Sequence, residues 1–135
     1  MARQLIFDTS VIIAAERGQL DLHAVVGDGD PAIAGITATE ILVGVERSTA
    51  QRRDLRALRA EDLLSVFPIE GYTLDVARMH ALLITHTRQA GRPRGSFDLI
   101  IAATAGATGR VLVSTDAAAD FSDLPGVKAE VVRVG

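Results

Sequence analysis

Apolar residues fall in short runs that stop at acids, glycines or prolines, and between the runs they recur every three or four positions. Leu5-Ile6-Phe7 ends abruptly at Asp8-Thr9-Ser10, the pattern of a buried strand passing into a helix start. Residues 11–17 continue as a short helix checked at Gly18, and residues 20–26 predict a second. Gly27-Asp28-Gly29-Asp30-Pro31 reads as a loop, and residues 32–36 as a second buried strand. Thr37-Ala38-Thr39-Glu40 has capping-box spacing, in which a Thr and a Glu three residues later satisfy free helix amides; the helix should run to about Glu46. Residues 50–64 predict an arginine-rich helix. Residues 65–69 form a short strand that Pro68 confines to an edge or a strand end. Residues 74–89 carry Val76, Ala77, Met79, Leu82 and Leu83 at helical spacing. A basic loop, Ala90-Gly91-Arg92-Pro93-Arg94-Gly95, precedes residues 96–107, a helix apolar almost all round and therefore expected in the middle of the molecule. Residues 111–114 and 129–134 read as strands, with a turn or short helix over residues 115–121.

Strands thus alternate with helices from end to end. That order predicts an α/β fold, a three-layer α/β/α sandwich around a mostly parallel sheet. No internal repeat or linker interrupts it, so residues 1–135 are expected to form one domain. The chain has 135 residues, no cysteine, and few aromatics. Zinc-thiolate sites, disulfides and cysteine nucleophiles are excluded. The first apolar stretch is broken by Asp8 and no run approaches membrane-spanning length, so neither a secretory leader nor a membrane anchor is expected, and the protein should be cytoplasmic. A net charge of −3 is unlike that of a general nucleic-acid binder. All the cations but Lys128 are arginines, however, and the guanidinium fork suits phosphate.

Four of the seventeen acids stand apart by position. Asp8 follows the first strand, Glu40 lies one turn beyond the second, Asp116 follows the strand at 111–114, and Asp98 opens the apolar helix. In open parallel sheets ligands bind beyond the carboxyl ends of the strands, so these acids should project toward one edge. Each has an alternative task, because acids at helix starts cap amides and oppose the dipole. Gathered together they would repel one another, and a divalent cation such as Mg²⁺, which prefers oxygen ligands, removes that cost. Such a site suits phosphodiester chemistry.

Four segments carry a family resemblance: Phe7-Asp8-Thr9-Ser10; Thr39-Glu40-Ile41-Leu42 with Gly44; Phe97-Asp98-Leu99-Ile100-Ile101-Ala102-Ala103; and Ser114-Thr115-Asp116 followed by Asp120-Phe121. In this order and spacing they resemble PIN domains, and more narrowly the VapC toxins of type II toxin–antitoxin pairs. The resemblance implies a Mg²⁺- or Mn²⁺-dependent endoribonuclease in which water held by the cation attacks RNA. Asp8 and Asp98 would be the principal metal ligands, with Glu40 and Asp116 completing the site directly or through water. Ser10 and Ser114 match the family's small hydroxyl residues beside the acids; local turn and cap bonding is their other reading. Ala117-Ala118-Ala119 separates Asp116 from the Asp120-Phe121 pair more widely than in similar proteins, which makes Asp120 the alternative fourth acid. The resemblance also implies a small cognate antitoxin whose tail covers the acidic groove, and a homodimer.

Arg92 and Arg94, with Arg88, flank the loop before Asp98, where they either grip RNA phosphates or form a solvated basic loop. Arg52, Arg56 and Arg59 share a helical face and, with Asp54, Glu61 and Asp62 nearby, read as an ion-paired surface. The three histidines show no ligand spacing, which argues against a metal-free histidine mechanism. Rival readings are a PIN-like module that binds RNA or protein without cutting, a receiver-like phosphoacceptor domain for which Lys128 is the only available lysine, and a DNA-directed nuclease.

Overall fold

A computed structural model of the chain describes residues 2–135. Five strands, β1 (Gln4–Phe7), β2 (Asp30–Ala34), β3 (Ile69–Glu70), β4 (Val111–Ser114) and β5 (Ala129–Val131), form one sheet in the order β3-β2-β1-β4-β5. Every neighbouring pair is parallel, so the sheet is wholly rather than mostly parallel. Six helices connect the strands: α1 (Thr9–Glu16), α2 (Leu22–Val26), α3 (Gly35–Glu46), α4 (Ala50–Val66), α5 (Leu74–Gln89) and α6 (Ser96–Thr108).

Alternation along the strands divides the core. Ile6 and Leu112 point to one face, where they meet Val76 and Leu83 of α5 and Leu99, Ile101 and Ala102 of α6. Leu5, Phe7, Ile33 and Val113 point to the other, against Val11 and Ile12 of α1 and, at its margin, Leu22 and Val25 of α2 and Leu63 and Leu64 of α4. Both faces of the sheet are therefore covered, as an all-parallel sheet requires. Helix α6 is the most enclosed, with six consecutive-turn residues from Leu99 to Ala105 buried, in line with its all-round apolarity.

The chain moves outward from β1 to β2 and β3 on one side, then returns through α5 and α6 to β4 and β5 on the other. The boundary between β1 and β4 is the point where the winding reverses. Loops leaving these two strands diverge there and open a crevice at their carboxyl ends.

Three expectations need correction. Strand β2 ends at Ala34, and α3 begins at Gly35 with Ala34 as a cap that makes no side-chain bond. The capping box at Thr37 and Glu40 therefore does not form: Thr37 lies inside the helix, and its buried hydroxyl has no partner among the described residues. The cause is the sheet, whose pairing of Ala34 with Glu70 is the last rung before the chain turns. Pro68 precedes the edge strand β3 instead of lying inside it, and α4 continues two residues past its expected end, to Val66.

Candidate active site

Asp8 leaves β1 at the crevice and caps α1, with Oδ1 accepting from the Val11 amide at 3.3 Å. Only 6% of it is exposed. A carboxylate so enclosed needs donors, and two serines supply them. Ser10 donates to Oδ1, and Ser114, the last residue of β4, donates to Oδ2 at 2.6 Å. The two hydroxyls also receive backbone amides of the next loop: Thr115 donates to Ser10 at 3.0 Å and Asp116 to Ser114 at 3.0 Å. Asp8, Ser10, Ser114 and the Thr115-Asp116 backbone thus form one continuous network across the β1–β4 boundary.

Asp116 stands at the start of the first of two short 3₁₀ turns (Ala117–Ala119 and Phe121–Asp123), its carboxylate accepting from the Ala118 amide at 3.0 Å. Asp98 lies in the first turn of α6, whose preceding cap, Gly95, offers no side chain. Its rim is open to solvent, but its carboxyl is held above the ordinary carboxylate range. Loss of surrounding water is the largest cause, then repulsion by Asp8, then by Asp116, with Arg94 pulling the other way. Two carboxylates from two other segments, Asp8 and Asp116, are thus near enough to act on Asp98.

Glu40 is placed differently. It is not among the charges that perturb Asp98; from the second turn of α3 it accepts a hydrogen bond from the Thr9 hydroxyl at 2.7 Å. Thr9 follows Asp8, so Glu40 joins the acidic site at its margin, through a neighbour. Thr9 was not singled out from the sequence as a site residue, although its position beside Asp8 is the signal. Asp120 also differs from Asp116. Its backbone is left-handed, with φ of 47°, a conformation acids tolerate better than most residues. It borders a depression with Asp98, but it is not among the charges acting on that group.

The basic loop is less free than its sequence suggests. Arg94 turns inward, 15% of its side chain exposed, donating to the carbonyls of Ala119 and Asp120 and facing Asp123 at 3.7 Å. It braces the Asp116 turn against the start of α6 rather than standing ready for phosphate. Arg92 is exposed and pairs with Asp123 at 3.4 Å. Arg52, Arg56 and Arg59 are corrected in the opposite sense. Among the described residues none of them forms an ion pair; the salt bridge of this helix is made by Arg53, with Glu46.

The donors that converge here are carboxylate oxygens backed by hydroxyls, with no sulfur or imidazole among them. That set suits a hard divalent cation such as Mg²⁺ or Mn²⁺. Among the described residues no three His, Asp or Glu side chains are already drawn together into a shell for one ion; the carboxylates repel but are not in joint ligating contact. Lys128 sits before β5, level with the start of β4, at the sheet edge opposite the acids. A receiver-like site, which needs a lysine beside its acids, is therefore not formed.

A family model described as the PIN domain matches residues 5–126. The chain is 38% identical over 133 residues to ribonuclease VapC5 of Mycobacterium tuberculosis, covering 96% of this chain and 94% of that one. Among solved structures, a toxin–antitoxin complex of the VapBC family from the same organism, VapBC-5, aligns with TM-score 0.74 and 32% identity over 96% of this chain and 98% of its own. VapBC2 of Rickettsia felis, bound to a DNA fragment from its promoter, has the same fold at TM-score 0.85 and 22% identity, covering 95% and 98% of the two chains.

Proposed function

The chain belongs to the PIN-domain family, within its VapC group, and on that premise we propose that it is a divalent-metal-dependent endoribonuclease, the toxin of a toxin–antitoxin pair. The observation that carries this reading is the gathering of Asp8, Asp98 and Asp116 at the β1–β4 boundary: Ser114 of β4 holds the Asp8 carboxylate at 2.6 Å, and loss of water, then repulsion by Asp8 and Asp116, raises the Asp98 carboxyl. Asp8 and Asp98 would hold the cation, Mg²⁺ or Mn²⁺, with Asp116 beside them and Glu40 at the margin. When bound, the cation supplies positive charge that polarises a phosphodiester and makes water a better attacking group.

The chain's own residues prepare the site. Ser10 and Ser114 each donate to one oxygen of Asp8, fixing the carboxylate plane and leaving further lone pairs free to accept. Capping of α1 uses Oδ1 only weakly, at 3.3 Å. Arg94 keeps the Asp116 turn against α6 and moderates the charge on Asp98. RNA is the substrate of this reading. A cognate antitoxin whose tail covers the acids, and a homodimer, belong to it as well, by likeness to the VapC proteins.

The deciding experiment incubates purified protein with RNA in Mg²⁺, in Mn²⁺ and in chelator, beside the Asp98→Asn variant. Cleavage is expected only for the parent with cation. Cutting that persists in chelator, or survives in the variant, overturns the mechanism.

A further inference from the structure

A second concavity begins where the acidic site ends. It is a cleft of about 380 Å³ between α1, α3 and α4, and Thr9 and Glu40 form part of its wall. Thr9 bonds Glu40 and directly follows Asp8, so the cleft abuts the margin of the acidic site at these two residues. Its walls also carry Arg17, Arg56 and Arg59. All three are exposed, and among the described residues none pairs with a carboxylate. Glu16 and Glu40 line the same space, so guanidiniums outnumber carboxylates there three to two.

Gly44, in the middle of α3, also faces this cleft. Glycine inside a helix is costly relative to alanine, and such a cost is usually offset by a close packing contact. Here there is none: a Cβ added at Gly44 would meet no atom within 4 Å. The space above it is not used by the chain itself.

We propose that this cleft is the track for the RNA sugar–phosphate backbone beside the acidic site, with Arg17, Arg56 and Arg59 on phosphates flanking the cleaved bond and Gly44 as its floor. The inference rests on the ribonuclease reading and adds to it the residues that hold substrate. Unpaired guanidiniums match phosphate oxygens in charge and in forked geometry. They share a cleft wall with Thr9 and Glu40 at the margin of the acidic site, which gives a chain cut at the acids an adjoining path for its backbone.

The test measures binding rather than cutting. A fluorescein-labelled single-stranded RNA of mixed sequence is titrated in chelator with the parent, Arg56→Gln/Arg59→Gln, Gly44→Ala and Arg52→Gln, the last removing a charge from the same helix outside the cleft. The double variant is expected to bind about tenfold more weakly per arginine and to flatten the slope of log affinity against log salt by about 1.4. Gly44→Ala should raise the melting temperature by roughly 3–5 °C yet weaken RNA binding, a combination that damage to the fold cannot produce. Arg52→Gln should bind nearly as the parent does. The proposal is overturned if the double variant keeps parental affinity, if Arg52→Gln loses as much as it does, or if Gly44→Ala binds as the parent. It is overturned also if the arginine variants keep RNA affinity and lose only the grip on an acidic antitoxin peptide. Cleft-dependent binding by a protein that never cuts RNA with cation would leave the track standing and remove the nuclease reading; cutting unaffected by the arginines would do the reverse.

Discussion

At the scale of single residues, the site is governed by how each carboxylate is compensated. Asp8 is buried but surrounded by donors; Asp98 has lost part of its water and faces two like charges. Its carboxyl binds a proton more tightly in the folded chain than in the unfolded one. Stability from that proton is fully present below the ordinary carboxylate pKa, about 4, and is lost as pH rises through the raised value. At pH 7 in chelator Asp98→Asn is therefore expected to raise the melting temperature while abolishing cleavage. The gap between variant and parent should close on acidification to about pH 4. Added Mg²⁺ should stabilise the parent more than the variant. Thermal melts across pH, with and without cation, check all three; a variant less stable than the parent at pH 7 in chelator contradicts the repulsion. Ser10 and Ser114 were legible as hydroxyls near acids, but their shared hold on one carboxylate spans more than a hundred residues of sequence.

Secondary-structure elements bring a different control, because the acids sit on segments that must be held in register with one another. Arg94 does this for α6 and the Asp116 turn by donating to the carbonyls of Ala119 and Asp120. Arg94→Ala is expected to cost about 1.5–3 kcal/mol, read by urea unfolding, and to lower cleavage through misplacement of Asp116. Arg94→Lys should recover only part of both, since an ammonium lacks the fork; full recovery would show that charge alone suffices. The sequence placed this arginine correctly beside Asp98, but not its direction. A basic loop looks the same whether its cations face water or carbonyls. The arginine-rich helix α4 departs from expectation for the complementary reason. Arg56 and Arg59 share a face with acids nearby in sequence, yet the packing of α4 beside α1 and α3 directs that face into a cleft.

Over the whole molecule, the sheet determines where the site is. All five strands run parallel, and the reversal of winding between β1 and β4 opens the crevice that Asp8 and Ser114 border. Far from it, Arg110 ties the sheet together. This guanidinium, 8% exposed, donates to the carbonyls of Leu5 and Asp30 and to the carboxylate of Glu70, joining β1, β2 and β3. Arg110→Met should reduce stability by about 2–3 kcal/mol, less than a fully buried broken pair because Asp30 and Glu70 still touch water. Cleavage, assayed well below the melting temperature, is expected to be unchanged, since no acid of the site depends on Arg110. A large fall in turnover at that temperature would show that the sheet transmits the change to the crevice. Among the described residues no helix is long and apolar enough to cross a membrane.

The order of elements, the strands' inward residues and the positions of Asp8, Asp98 and Asp116 were set by the chain alone. Each depends on local periodicity or on where an apolar run ends, and those signals lie within a few residues of one another. The start of α3, the inward turn of Arg94, the standing of Glu40 at the margin and the arginine cleft were decided only in three dimensions. Each depends on pairing between segments distant in sequence: Ala34 with Glu70, Arg94 with Ala119 and Asp120, Thr9 with Glu40, and α4 with α1 and α3. Local pattern sets which way a segment folds; only packing sets what its side chains find when they arrive.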